Sequence, residues 1–224
     1  MVLLVALVPV LALTMVCNQQ IFNAYLLWAE KNYALRWMGH AIPVEATLSL
    51  DALFGGLGIV ASLAFWRWWG RHWREPDELT KVALAALLGA GAPLILALAS
   101  SVVAATGHPV GLGWAVLFET VNDLAFANVF PIGLALYSRA APPGRSGLLI
   151  GLFYLHLTLG NFLVGRLGGL LETMSGSAFW MLHAALVAGA AVVLMLVRLT
   201  VGRSLVADDP DAAGATAAGT PAAA

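Results

Sequence analysis

From Val2 to Trp28 the chain runs without a single Asp, Glu, Lys or Arg. Crossing the ~30 Å hydrocarbon core of a bilayer takes ~20 mostly apolar residues, each rising ~1.5 Å along a helix. Five more stretches meet that requirement: about Val44–Trp68, Val82–Ala105, Gly111–Tyr137, Leu148–Leu171 and Phe179–Leu199. Lipid offers the backbone no hydrogen-bond partner, so each stretch must close its own bonds as a helix. The runs are long and continuous, unlike the ten-residue alternations of barrel strands. The expected fold class is an all-α membrane protein with six transmembrane helices in residues 1–204. Composition agrees: 61% of residues are hydrophobic and 10% charged, with a mean hydropathy of +0.88, where soluble domains carry ~25% charge.

The first stretch does not read as a signal peptide. It has no basic n-region and no A-x-A site, and it continues well past Cys17. One cysteine cannot form an intrachain disulfide. Short-loop charges set orientation, because Lys and Arg favour the cytoplasmic side. Eight of them (Arg67, Arg71, Arg74, Lys81, Arg139, Arg145, Arg198 and Arg203) fall on one side, against Lys31 and Arg36 on the other. Both termini are therefore expected in the cytoplasm, in a cytoplasmic (inner) membrane. Residues 205–224, small, polar and of low complexity, are expected to form a disordered cytoplasmic tail. The first span starts at Met1 with no preceding loop, so the chain reads as a piece cut at a domain junction.

Ionisable and amide side chains at membrane depth are rare, and they are functional candidates unless they merely join helices. The candidates are Asn18, Gln20 and Asn23 in the first span, Asp51 in the second, Glu119, Asn122 and Asp123 in the fourth, and His156 and Asn161 in the fifth. Counting rise per residue puts Asp123 and His156 both near the midplane, where carriers hold their substrate sites. Glu119 and Asp123 are four apart and share one helical face. Low dielectric favours the neutral form of a carboxyl, and a second carboxylate one turn away favours it further. The pair is expected to carry about one proton at neutral pH, as proton coupling requires. Asn18 and Asn161, taken singly, read equally well as interhelical hydrogen-bond partners, and His156 alone reads better as one than as a proton relay. Arg166 lies close to Glu172 and is expected to pair with it or to snorkel.

Gly144-Arg145-Ser146-Gly147 matches the G-x-S-G of rhomboid-type intramembrane proteases, and His183 stands in the last span. Ser146, however, sits in a short basic loop, where it is expected to cap the following helix, across the bilayer from His183. An enzyme is not expected. No His or Cys spacing suits a metal, and no phosphate-cradling loop is present. No nucleic-acid partner is expected either, and no cofactor beyond a proton as coupling ion.

The segment PIGLALYSRAAPPGRSGLLIGLFYLHLTLGNFLVGRLGG resembles the tenth and eleventh spans of the proton-dependent oligopeptide transporters of the major facilitator superfamily. Pro131, Gly133, Leu134, Ala141, Pro142, Gly147, Gly151, Gly160 and Asn161 occupy the family's positions. CNQQIFNAYLLWAEKN is similar to its seventh span, with Gln20 on the family's Gln, and SLDALFGGLGIVASLAFWRWW to its eighth, with Asp51 where the family usually has Asn. The family's tenth-span acid falls where this sequence has Phe126, and its E-x-x-E-R motif, which belongs to the amino-terminal half, is absent. The resemblance implies the carboxy-terminal six-helix half of a major-facilitator-type bundle. It further implies a peptide-like small-molecule substrate lying between this half and a missing amino-terminal six-span half, with the candidate residues facing that cavity. Without that half, self-association in the membrane lipid is expected. The alternative is a self-contained six-span channel or scaffold whose polar residues only join helices.

Overall fold

The computed structural model describes residues 2–142 and 144–206, the last six of these as backbone only. Six units are long and apolar enough to cross a membrane. The first is built of α1 (Val2–Gln20) and α2 (Ala24–Asn32), and the second is α3 (Ala46–His72). The third is α4 (Glu78–Gly89) with α5 (Gly91–Thr106), followed by α6 (Gly113–Arg139), α7 (Ser146–Gly168) and α8 (Gly176–Val206). A short 3-10 turn, Gly169–Glu172, extends α7. Most helix ends overrun the apolar runs by a few residues, because a helix can carry polar side chains once it reaches the headgroups. The tail expected after Leu205 lies, from residue 207 on, outside the described residues.

Two helices are interrupted in ways the hydropathy does not register. Between α1 and α2 the chain tightens into i→i+3 bonds, Ile21 N–H to Asn18 O at 3.2 Å and Asn23 N–H to Gln20 O at 2.9 Å. Between α4 and α5 only Ala90 intervenes, flanked by two glycines and followed by Pro93, which has no N–H to continue the ladder. Outside the spans, Arg36–Trp37 (β1) and His40–Ala41 (β2) pair as a small hairpin. Its two-residue turn has φ of +49° at Met38 and +85° at Gly39, the left-handed pair that suits strand twist.

The helices pack around α6, which lies against α3, α4, α5 and α7, while α8 covers α1, α4 and α5. The core divides into two layers. One is aromatic, with Tyr25, Trp28, Phe118, Phe179 and Trp180; the other holds Leu4, Leu11, Tyr137, Leu149 and Phe153. Helix α3 touches the bundle along one strip only. A Cβ on Gly58 would stand 3.1 Å from the carbonyl oxygen of Asp123, so the missing side chain is what allows α3 and α6 to cross this closely. Lower down, Asn128 Oδ1 accepts from both Ser62 Oγ and Trp66 Nε1, each at 2.7 Å, a polar clamp between the same two helices.

Candidate functional site

The α3–α6 crossing assembles three carboxyl groups. Oxygens of Asp51, Glu119 and Asp123 all lie within 4.8 Å of one another. Glu119 is wholly buried, and Asp123 is 2% exposed. Asn122 Nδ2 donates to Asp123 Oδ1 at 3.3 Å, but both oxygens of Glu119 and Oδ2 of Asp123 have no partner among the described residues. No described ion pair reaches the three; the ion pairs join Glu75, Asp77 and Glu78 to bases elsewhere. At an effective dielectric of 20, full ionisation would cost at least ~3.5 kcal/mol of repulsion per pair. Three full charges at this spacing are therefore costly unless water or positive charge reaches them.

The stacked pair read from the sequence is thus a trio, since α3 brings Asp51 to it. Asn122 also borders a cavity of about 10 Å³ shared with Thr14, Cys17, Asn18 and Gly89, roughly the room one water needs. Asn18 itself accepts from Gln19 Nε2 at 3.2 Å.

A second polar centre forms at the α1–α2 break. Gln20 Oε1 accepts from the backbone N–H of Ala24 and from Asn23 Nδ2, both at 3.3 Å. That fixes the amide, so Gln20 Nε2 points at His183 Nε2, 3.1 Å away, and at Val164 O, 3.4 Å away. Asn23 Nδ2 also donates to Val164 O at 3.2 Å. His183 Nδ1 lies 2.8 Å from Phe179 O, which can only accept. The ring must therefore be neutral, with its proton on Nδ1 and Nε2 accepting from Gln20. His183 is not among the cavity candidates read from the sequence, where it figures only as the last-span His of the protease-like match. Ser146 does not join it: Ser146 is exposed at the start of α7, makes no side-chain cap, and His183 bonds Gln20 and Phe179 instead.

The remaining candidates separate. His156 is buried but not beside Asp123; its Nδ1 bonds Phe153 O, its ring packs on Phe153 and Phe130, and its Nε2 has no described partner. Depth along a helix does not fix azimuth, so two groups at one depth can face apart. Asn161 is exposed on α7. Arg166 does not pair with Glu172; its guanidinium stands over the Phe162 ring at 5.6 Å.

Six membrane-length helices packed in this way are similar in fold to one half of solved POT family transporters. No protein-family model matches the chain. Over 170 residues it is 29% identical to the peptide transporter YePEPT of Yersinia enterocolitica, an alignment covering 71% of this chain and 32% of that protein. A solved peptide transporter of the POT family in complex with sulfate superposes with a TM-score of 0.78 at 19% identity, covering 88% of this chain and 39% of the other. A POT family transporter bound to a thioalcohol-conjugated peptide gives 0.75 at 15% identity, covering 89% and 40%. The chain thus spans about a third of the curated relative's length (32%) and about 40% of the solved chains. Its fold is that of half a POT transporter, and these similar proteins are transporters rather than enzymes.

Proposed function

We propose that this chain is the carboxy-terminal six-helix domain of a proton-coupled secondary transporter for short peptides or related amino-acid compounds. The substrate lies between this bundle and an amino-terminal six-span half, and both termini face the cytoplasm. One observation carries the proton assignment: two buried carboxyl groups, Glu119 and Asp123, and the half-buried Asp51 within 4.8 Å of one another, with no described basic partner. Such a cluster keeps a proton while dry and releases it when an opening admits water, since hydration favours the ion. Supporting the substrate class are the peptide transporter of Yersinia and the solved relatives with a conjugated peptide and with 5-aminolevulinic acid.

The test uses the chain reconstituted with a six-span partner half in liposomes. Glu119→Gln and Asp123→Asn are expected to abolish dipeptide uptake driven by a pH gradient while leaving dipeptide exchange intact, because exchange needs no net proton movement. Normal driven uptake in both amides would overturn the assignment.

A further inference from the structure

At one end of the bundle every described acid is already engaged. Glu75 pairs with Lys81, Glu78 with Arg139, and Asp77 Oδ2 with Arg198 Nε at 3.2 Å. These pairs gather the end of α3, the start of α4 and the ends of α6 and α8 at one membrane face. Arg67, Arg71, Arg74 and Arg145 share that face; all are exposed, and among the described residues none stands in an ion pair.

Three of the four are held together. Arg67 and Arg71 are one helical turn apart and project from one side of α3. At the helix end Trp73 N–H closes the last i→i−4 bond to Trp69 O at 2.9 Å, and Trp69 Nε1 donates to Arg74 O at 3.3 Å. Arg74 therefore stays beside the last turn. Aromatic rings pave the same place. The Trp73 ring lies 4.9 Å from that of Trp69 and 5.2 Å from that of Trp68. Trp68 and Trp73 are about half exposed, at 48% and 53%. Immediately before this end, α3 exposes Val60, Leu63 and Phe65, a surface only acyl chains or another apolar body can cover. The arginines thus emerge where hydrocarbon gives way to headgroups, and indoles favour that same depth.

We propose that Arg67, Arg71 and Arg74, framed by Trp68 and Trp73, bind the headgroup phosphates of anionic phospholipids. A guanidinium matches a phosphate with two parallel charge-assisted bonds, and bases beside a membrane are drawn to its anionic lipids. Charge complementarity selects this occupant: the described acids at this face are spent, and bases at this depth meet anionic headgroups. The other possible occupant is the chain's own Asp208, Asp209 and Asp211, which lie outside the described residues.

The test titrates the full chain in mild detergent with phosphatidylglycerol or phosphatidylcholine of identical acyl chains, read by native mass spectrometry. The unaltered chain is expected to prefer phosphatidylglycerol. The triple variant Arg67→Gln, Arg71→Gln, Arg74→Gln is expected to lose that preference by on the order of 100-fold. Equal preference in the triple variant overturns the proposal. So does a preference that appears only after Asp208, Asp209 and Asp211 are changed to Asn, which would name the tail as occupant. Displacement of phosphatidylglycerol by equimolar glycerol phosphate overturns it too, since the ligand would then be a soluble phosphate. Should the triple variant misfold, the unaltered chain decides by tryptophan quenching with lipids spin-labelled near the headgroup. Stronger quenching by phosphatidylglycerol supports the site, and equal quenching by the two lipids rejects it.

Discussion

The amide of Gln20 and the imidazole of His183, 163 residues apart in sequence, meet at 3.1 Å and determine each other's hydrogen positions. Because Ala24 N–H holds Gln20 Oε1, only the amide NH2 can face the ring. Nitrogen NMR on labelled protein should therefore find His183 neutral with Nδ1 protonated and Nε2 bare. Gln20→Leu removes the amide and strands Nε2, and it should lower stability by about 1–3 kcal/mol, the usual cost of a buried unpaired polar group. Thermal unfolding in detergent checks this; an unchanged midpoint would remove the contact from any structural role.

The carboxylate trio predicts an unusual sign. Most substitutions of buried polar groups destabilise, but an amide in place of Asp51 or Asp123 removes like-charge repulsion while retaining shape. Asp123→Asn should raise the unfolding midpoint at alkaline pH, by an amount on the order of 1 kcal/mol, and should raise it less in acid. If these side chains serve only as interhelical hydrogen-bond acceptors, the midpoint falls instead.

Gly58 predicts a steric effect at the same crossing. Its added Cβ would sit 3.1 Å from Asp123 O and 3.4 Å from Ala127 Cβ, tighter than backbone atoms can readily relieve. Gly58→Val should therefore push α3 away from α6, cost about 1–3 kcal/mol and separate Asp51 from Glu119 and Asp123. Gly55→Val, at a position open to solvent or lipid, is the control and should be close to neutral. A crosslinking distance between α3 and α6 that stays the same in Gly58→Val would contradict this account.

Asp77 predicts a pH dependence outside the spans. Burial raises the proton affinity of its carboxyl. The Thr80 N–H at 2.8 Å, the Thr80 hydroxyl at 2.9 Å and Arg198 outweigh burial and hold it below the ordinary carboxylate value. A lowered folded-state value means stability that is fully present above the unfolded value, ~3.9, and lost as pH falls through the folded one. Asp77→Ala should cost ~0.5–2 kcal/mol as a lost helix cap at neutral pH. That difference from the unaltered chain should shrink in strong acid. A pH-independent difference would show that the carboxylate charge contributes nothing.

The sequence by itself determined the number of spans and their approximate limits, because lipid cannot hydrogen-bond a backbone and so converts apolar run length directly into helices. It also determined that Glu119 and Asp123 stack, since a four-residue spacing on a helix is a local geometry. It did not reveal the breaks at residues 21–23 and at Ala90, which leave hydropathy unchanged. Nor did it reveal that Asp51 completes the acidic cluster, that His183 fixes Gln20, or that Asn161 is exposed on α7 and His156 lies among phenylalanines. Each of those depends on the rotation of one helix about its own axis relative to another. That rotation is set by close-packing at points such as Gly58 against Asp123, between residues too far apart in sequence for any local pattern to encode.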